Sequence, residues 1–295
     1  MKPYVSVVVA TYRREKELQV ALASLAQQTY ECVEIVVVDD NAQREWNEKV
    51  STVVSQIQRN YPHINLNYIV NESNQGSAKT RNIGIDQSIG EYITFLDDDD
   101  VYFPNKVENQ VAFMEEGELD YSVTDINLYD ENDKLIDRRS RGYIKDTSKQ
   151  SLIKYHLKYH ITSPDTMMFR KSYLVGIGKF APIDVGDDYY LMQRAIEGDG
   201  KFGYLPSSDV KAYVHTGEGG LSSGDGKIKG ENALYEYKKA YFDQLTSKDI
   251  RYIKVRHYAV IAYADVRRRR YLGFALNAMK SFIISPIDFF SLLKK

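Results

Sequence analysis

Residues 91–105 read EYITFLDDDDVYFPN: an apolar run, Tyr92–Leu96, that stops on four consecutive aspartates, Asp97–Asp100. A short apolar run bounded by charge has the pattern of a buried strand. Similar runs precede it. Val5–Val9 leads into Ala10-Thr11-Tyr12-Arg13-Arg14, Glu34–Val38 into Asp39-Asp40-Asn41, and Leu66–Val70 forms a third strand. Helical spacing fills the gaps. Glu15–Gln27 sets Leu18, Ala21, Leu22 and Leu25 on one face, and Trp46–Arg59 does the same with Val50, Val53, Val54 and Ile57. Ser77–Ser88 reads as a helix after the turn Asn74-Gln75-Gly76. Apolar strands separated by helices predict an α/β fold with a mostly parallel sheet covered on both faces. Ligands of such sheets bind outside the carboxyl ends of the strands. The ends of the first, second and fourth strands therefore define the candidate site.

Past Asp100 the pattern predicts a helix from Pro104 to about Glu116, since proline suits a first helical turn. It then predicts a strand over Tyr121–Tyr129, a hairpin or mobile loop over residues 130–147, a strand at Thr166–Arg170, a helix at Asp187–Ile196 and a strand at Val210–Val214. The glycine-rich segment Gly217–Gly230 is too polar for a core and suits a loop that closes over a ligand. From Glu231 onward the chain reads helical.

The composition is that of a globular protein, 43% hydrophobic and 27% charged over 295 residues. Cys32 is the single cysteine, which excludes an intramolecular disulfide and a cysteine metal cluster. The apolar run before Arg13 is too short for a signal peptide, and no run approaches the roughly 20 apolar residues of a membrane span. A cytoplasmic location is the expectation. Residues 251–295 hold ten Lys/Arg against two Asp/Glu, whereas the preceding 250 hold 29 against 39. Such an asymmetry suggests different partners for the two segments.

Isolated acidic runs are commonly solvated turns. Four aspartates ending a buried strand are different, because like charges at close range repel unless a cation relieves them. Hard divalent cations, Mn²⁺ or Mg²⁺, take carboxylate oxygens and keep room for phosphates. Arg81 lies about one turn inside the helix opened by Gly76, where a helix N-terminus and a guanidinium favour anions. Asp187-Asp188 begins another helix; such a pair either caps it or supplies a general base. His215 ends a strand and opens the glycine-rich loop, a place from which it can reach a metal or a diphosphate. No G-x-G-x-x-G follows the first strand and no G-x-x-x-x-G-K-[ST] occurs, which argues against dinucleotide-binding and P-loop proteins. A nucleotidyltransferase would carry a glycine-rich basic loop after the first strand, and Ala10–Arg14 has no glycine.

Together SVVVATYRRE, EIVVVDDN, NQGSAKTRNIGI, YITFLDDDDVYFPNKVE, VGDDYYLMQRA and YVHTGEGGLS resemble the family 2 glycosyltransferases, inverting enzymes of the GT-A fold, in the family's order across residues 4–224. The resemblance implies a GT-A catalytic domain over 1–225, with a nucleotide-binding half (1–100) and an acceptor half (101–225), and a helical extension over 226–295. It implies donor contacts from Ala10, Tyr12, Arg14, Asp39, Asn74, Gly76, Arg81, Asp97 and Asp98, with Asp39 accepting from a uracil ring N–H. It implies Asp97, Asp99 and His215 as metal-contacting residues and Asp188 as general base. The register of the D-x-D pair stays open by one position, which keeps Asp98 and Asp100 in view. The first acid of the family's E-D pair is here Asp187. The implied reaction moves a sugar from a nucleotide diphosphate, UDP favoured, to a glycan or lipid-linked glycan in bacterial cell-surface polysaccharide synthesis. An inactive sugar-nucleotide-binding or scaffold relative is the alternative.

Arg267–Arg270 precedes the apolar stretches Tyr271–Leu276, Phe282–Ile284 and Phe289-Phe290. Two readings stand: helices packed on the catalytic domain, or a helix lying on the inner face of an anionic membrane. Sparse aromatic interleaving and the acidic main domain argue against nucleic acid.

Overall fold

The computed structural model describes residues 2–183, 186–214 and 224–293. They divide into two compact units, Met1–Lys149 with Ile161–His215, and Gln150–His160 with Thr216–Lys295.

The first unit opens with β1 (Val5–Thr11), α1 (Lys16–Ala26), β2 (Val33–Asp39), α2 (Arg44–Asn60), β3 (Asn65–Val70), α3 (Ser77–Gln87) and β4 (Tyr92–Phe95), the alternation that the apolar runs predict. It continues with β5 (Val101–Tyr102), α4 (Lys106–Glu116), β6 (Tyr121–Thr124), β7 (Ile126–Tyr129) and β8 (Leu135–Arg139). After α5 (Lys149–Tyr159) come β9 (Met167–Arg170), α6 (Lys171–Gly176), α7 (Asp187–Glu197), β10 (Phe202–Leu205) and β11 (Val210–Tyr213). The main sheet runs β10-β6-β9-β4-β1-β2-β3 and is parallel except for β9, which is antiparallel to both neighbours. A smaller sheet runs β5-β11-β7-β8.

The period of two along β1 sorts its side chains between two layers. Val5, Val7 and Val9 join Leu18, Leu22, Val50 and Val54 in the core under α1 and α2. Val8 faces the other way, against α3. A Cβ built on Gly84 would sit 2.4 Å from Val8 Cγ1, so α3 lies at a distance from the sheet that only glycine permits.

Two expectations need correction. Residues 224–230, read as part of a glycine-rich loop, are instead the start of a helix, Gly224–Lys239. Tyr121–Tyr129 is not one strand but two, β6 and β7, in different sheets. The break is at Asp125, whose N–H donates to the Ser207 carbonyl (2.9 Å) and whose carboxylate accepts from Arg141 N–H and Tyr204 OH (2.8 Å each). Asp125 is thus bound outside the ladder. Of the alternatives for residues 130–147, the hairpin is present: β8 pairs antiparallel with β7.

The second unit combines residues 150–160 with α8 (Gly224–Lys239), α9 (Ser247–Arg267), α10 (Tyr271–Ile284) and α11 (Pro286–Leu293). Thr246 caps α9 by accepting from the Asp249 N–H (3.2 Å). Lys158 (2.6 Å) and Lys154 (3.2 Å) ion-pair with Asp249. Burial opposes its charge, yet hydrogen bonds from Lys158 and Thr246 bring the carboxyl down to about 2. Among the described residues, no helix is long and apolar enough to cross a membrane.

Candidate functional site

Register brings the site together. Thr11 pairs with Asp39 and Asp39 with Val70, so β1, β2 and β3 end in line. Val8 pairs with Phe95, so Asp97–Asp100 follows beside the end of β1. Because β9 runs the other way, with Thr94 opposite Met168, its start delivers Asp165 to this same edge.

One side of the edge is built on Asp39 and Asp40. Asp39 is wholly buried; Oδ1 accepts from Asn41 N–H (2.9 Å) and Asn41 Nδ2 (2.7 Å), and Oδ2 from Tyr68 OH (2.7 Å). A carboxylate has about four acceptor positions, so one remains on Oδ2. Asp40 Oδ1 accepts from Gln75 N–H (2.7 Å) and Oδ2 from Gly76 N–H (2.9 Å), while its carbonyl takes Asn74 Nδ2 (3.0 Å). Asn74 and Gly76 are therefore shaped by Asp40, a residue the motif comparison left without a role. Gly76, at φ 77°, opens α3 in a conformation suited to glycine. Ala10 is half-buried and Tyr12 is 44% exposed, with the Arg13 guanidinium 5.1 Å from its ring centre.

The other side holds the acids. Arg81 is 11% exposed and bridges two of them, with Nη2 2.7 Å from Asp97 and Nη1 2.8 Å from Asp187. Ser77 Oγ also donates to Asp187 (3.2 Å). Asp188 Oδ2 accepts from Ser163 N–H (3.2 Å), and Oδ1 from Tyr189 N–H (2.8 Å). Burial, with Asp187 next to it, raises the Asp188 carboxyl to about 6. Ser163 holds a left-handed φ of 92° without being glycine, a conformation that costs of order 1–3 kcal/mol. From there its Oγ donates to Asp165 Oδ2 (3.1 Å), and Asp165 Oδ1 accepts the Asp97 N–H (2.7 Å). Residues 163–165 thus tie Asp188 to the aspartate turn.

Within that turn, Asp98 accepts from Thr11 Oγ1 (2.8 Å) and Tyr12 N–H (3.2 Å), and Asp99 ion-pairs with Arg14 (2.9 Å). Asp100 accepts from Tyr213 N–H (2.9 Å). Burial and the Asp99 charge raise Asp98 to about 7, and burial and Asp97 raise Asp165 to about 7. Asp100 is raised well above its ordinary value by burial and by Asp165. Beneath them Lys106 is wholly buried, donating to Thr94 Oγ1 and Tyr102 OH (2.7 Å each). Burial drives its ammonium well below the ordinary range.

Asp97, Asp100 and Asp165 each offer an oxygen within 4.8 Å of the others. Hard oxygen donors under mutual repulsion fit a divalent cation. Asp97 was expected there; Asp165 was not, and Asp99 is instead paired with Arg14. His215 lies outside the described residues.

The model of the family described as glycosyl transferase family 2 matches residues 6–177, ahead of the Asp187–Asp188 pair. An uncharacterized glycosyltransferase of Methanocaldococcus jannaschii is 29% identical over 238 residues, covering 80% of this chain and 78% of its own length. The chain spans less than a quarter of the length of several other curated relatives it matches. Among solved structures, a mannosyltransferase of Pyrobaculum calidifontis in complex with GDP-Man and Mn²⁺ has a TM-score of 0.62 at 17% identity, covering 100% of this chain and 79% of that one. Residues 1–349 of TarS from S. aureus, in complex with UDP-GlcNAc, give a TM-score of 0.60 at 18% identity, covering 99% and 92%. At these identities the likeness concerns the fold.

Proposed function

Glycosyl transferase family 2 is the family to which this chain belongs, and on that premise we propose that it is an inverting transferase moving a sugar from a nucleotide diphosphate to an acceptor hydroxyl. The observation that carries the reading is the joining of Arg81, Asp97, Asp165 and Asp188 at the carboxyl edge of the sheet. A donor laid along that edge would set its base near Tyr12 and Asp39 and its diphosphate near the aspartate turn. Uracil is favoured by the motif resemblance, which matches Asp39 to the acceptor of a ring N–H. A Mn²⁺ or Mg²⁺ held by Asp97, Asp100 and Asp165, with Asp99 joining if it leaves Arg14, would neutralise charge growing on the leaving diphosphate. Asp188 would take the acceptor proton as the hydroxyl attacks the anomeric carbon from the opposite face; a carboxyl near 6 is largely ionised at neutral pH. Arg81 would hold Asp97 and Asp187 apart from each other and in place. The acceptor would be a glycan or lipid-linked glycan of a bacterial cell surface, a reading that rests on the motif resemblance.

Thermal stabilisation by UDP, GDP, CDP and dTDP, each with and without Mn²⁺, tests the donor assignment. A ligand at about 100 times its Kd adds about 2.7 kcal/mol of stability. UDP with Mn²⁺ should raise the melting temperature most. Stabilisation by GDP alone would move the assignment to a GDP-sugar, and no shift with any nucleotide would favour an inactive relative.

A further inference from the structure

α10 is built inside out. A surface helix ordinarily turns its apolar stripe inward and its polar face to water. Here the inward face carries Gly273, Asn277 and Ser281, four residues apart, with half-buried Ile284 at its end. A Cβ on Gly273 would meet Asp265 Oδ2 at 2.7 Å. Asn277 Nδ2 donates to Asp265 Oδ2 (3.0 Å), and buried Ser281 donates to the Val255 carbonyl (2.8 Å). The outward positions are Leu272, Leu276, Met279, Phe282 and Ile283, exposed by 41–76%. α11 carries the pattern on with Ile287 (83%), Phe290 (54%) and Leu293 (68%). Exposed apolar surface of this extent marks an interaction site.

We propose that α10 and α11 lie flat on a bilayer bearing anionic headgroups, with these apolar side chains inserted and the adjoining arginines among the headgroups. Charge selects this occupant. Arg267, Arg269 and Arg270 are exposed at the start of α10, and Lys280 is exposed along it. Asp288 is the only acid from 267 to 293 and is paired with Arg251 (3.1 Å). Helices of 14 and 8 residues are too short to span, so they lie in the interface rather than crossing it.

The inference does not depend on the donor or acceptor reading, because the test involves no turnover. The intact chain is sedimented with vesicles of phosphatidylcholine, or of phosphatidylcholine with about one-third phosphatidylglycerol. Binding to the anionic vesicles should be roughly tenfold stronger or more and should weaken with salt. The triple variant Leu272→Glu, Ile283→Glu, Ile287→Glu should lose binding, and the quadruple Arg267–Arg270 to Gln variant should lose the preference for anionic lipid. Unchanged circular dichroism checks each fold, and if the triple variant misfolds, the quadruple variant decides. No capture by anionic vesicles, or equal capture by neutral ones, overturns the proposal. Concentration-dependent dimerisation abolished by the triple variant, without vesicle binding, assigns the face to a second copy instead.

Discussion

The backbone N–H of Asp97 donates to Oδ1 of Asp165 at 2.7 Å, joining two residues 68 apart in the chain. Asp165→Ala would leave that N–H without its acceptor, a cost of about 1–3 kcal/mol where the group stays buried. It should also lower kcat/KM and weaken Mn²⁺ activation. Asp165→Asn keeps an acceptor oxygen but not the charge. If Asp165 only positions the turn, the Asn variant recovers most of the Mn²⁺ response. If its charge also holds the ion, both variants need more Mn²⁺, and identical wild-type titrations for all three would remove Asp165 from the site.

Asp188→Asn should reduce turnover by about 10²–10⁴, the usual worth of general-base assistance. UDP-dependent stabilisation should remain near that of the wild type. With the carboxyl raised to about 6, kcat/KM of the wild type should climb with pH through that value and level off above it. A profile flat from pH 5 to 8, in about the range where such a group titrates, would show that Asp188 is not the base.

Asp98 provides a stability test with a definite sign. Its folded value, about 7, lies above the ordinary 3.8. The protonated carboxyl therefore favours the fold, a contribution present in full below about pH 4 and lost as pH rises through about 7. Asp98→Asn keeps an acceptor for Thr11 and Tyr12 and cannot ionise. The two proteins should melt together at acid pH, and the variant should melt a few degrees higher at about pH 8 without metal. Mn²⁺ should narrow the gap by relieving the wild type. A gap independent of pH would contradict this account.

Gly84→Ala sets a methyl against Val8, whose Cγ1 leaves only 2.4 Å. Helix propensity favours the change by about 1 kcal/mol, but overpacking typically costs about 1–3 kcal/mol. The net effect should be a lower urea midpoint, with a fall in activity because Arg81 sits one turn away on α3. Val8→Ala in the same chain should restore part of both losses. A Gly84→Ala protein more stable than wild type would mean that α3 does not rest on β1 as closely as the structure has it.

β1, β2 and β4 were legible because each is an apolar run ending on charge, and strand ends are where α/β proteins bind. Asp165 was not, for a physical reason: the run Met167–Arg170 announces a strand but not its direction. In a wholly parallel sheet the residue before it would sit at the opposite edge, and only the reversal of β9 brings it to the aspartates. Asp40 was quoted beside Asp39, yet periodicity says nothing of which backbone amides a carboxylate will bind. The split at Asp125 was hidden because apolar and β-branched residues continue on both sides of it. The polar inward face of α10 depends on what Asp265 and Val255 present to it, which no local pattern carries.

Among the described residues, nine aspartates, Asp39, Asp40, Asp97–Asp100, Asp165, Asp187 and Asp188, share this edge with three arginines, Arg13, Arg14 and Arg81. The imbalance imposes a sequence on the encounter. A bare nucleotide diphosphate arrives with the same sign of charge as the surface that must receive it. Cation and donor are expected to enter as one complex, or the cation first, and the spent diphosphate is expected to depart with its ion. Initial rates should then follow the concentration of the cation–nucleotide complex rather than of total nucleotide, with excess free nucleotide acting only by withdrawing the ion. The surplus of carboxylates makes the order of arrival a property of the fold.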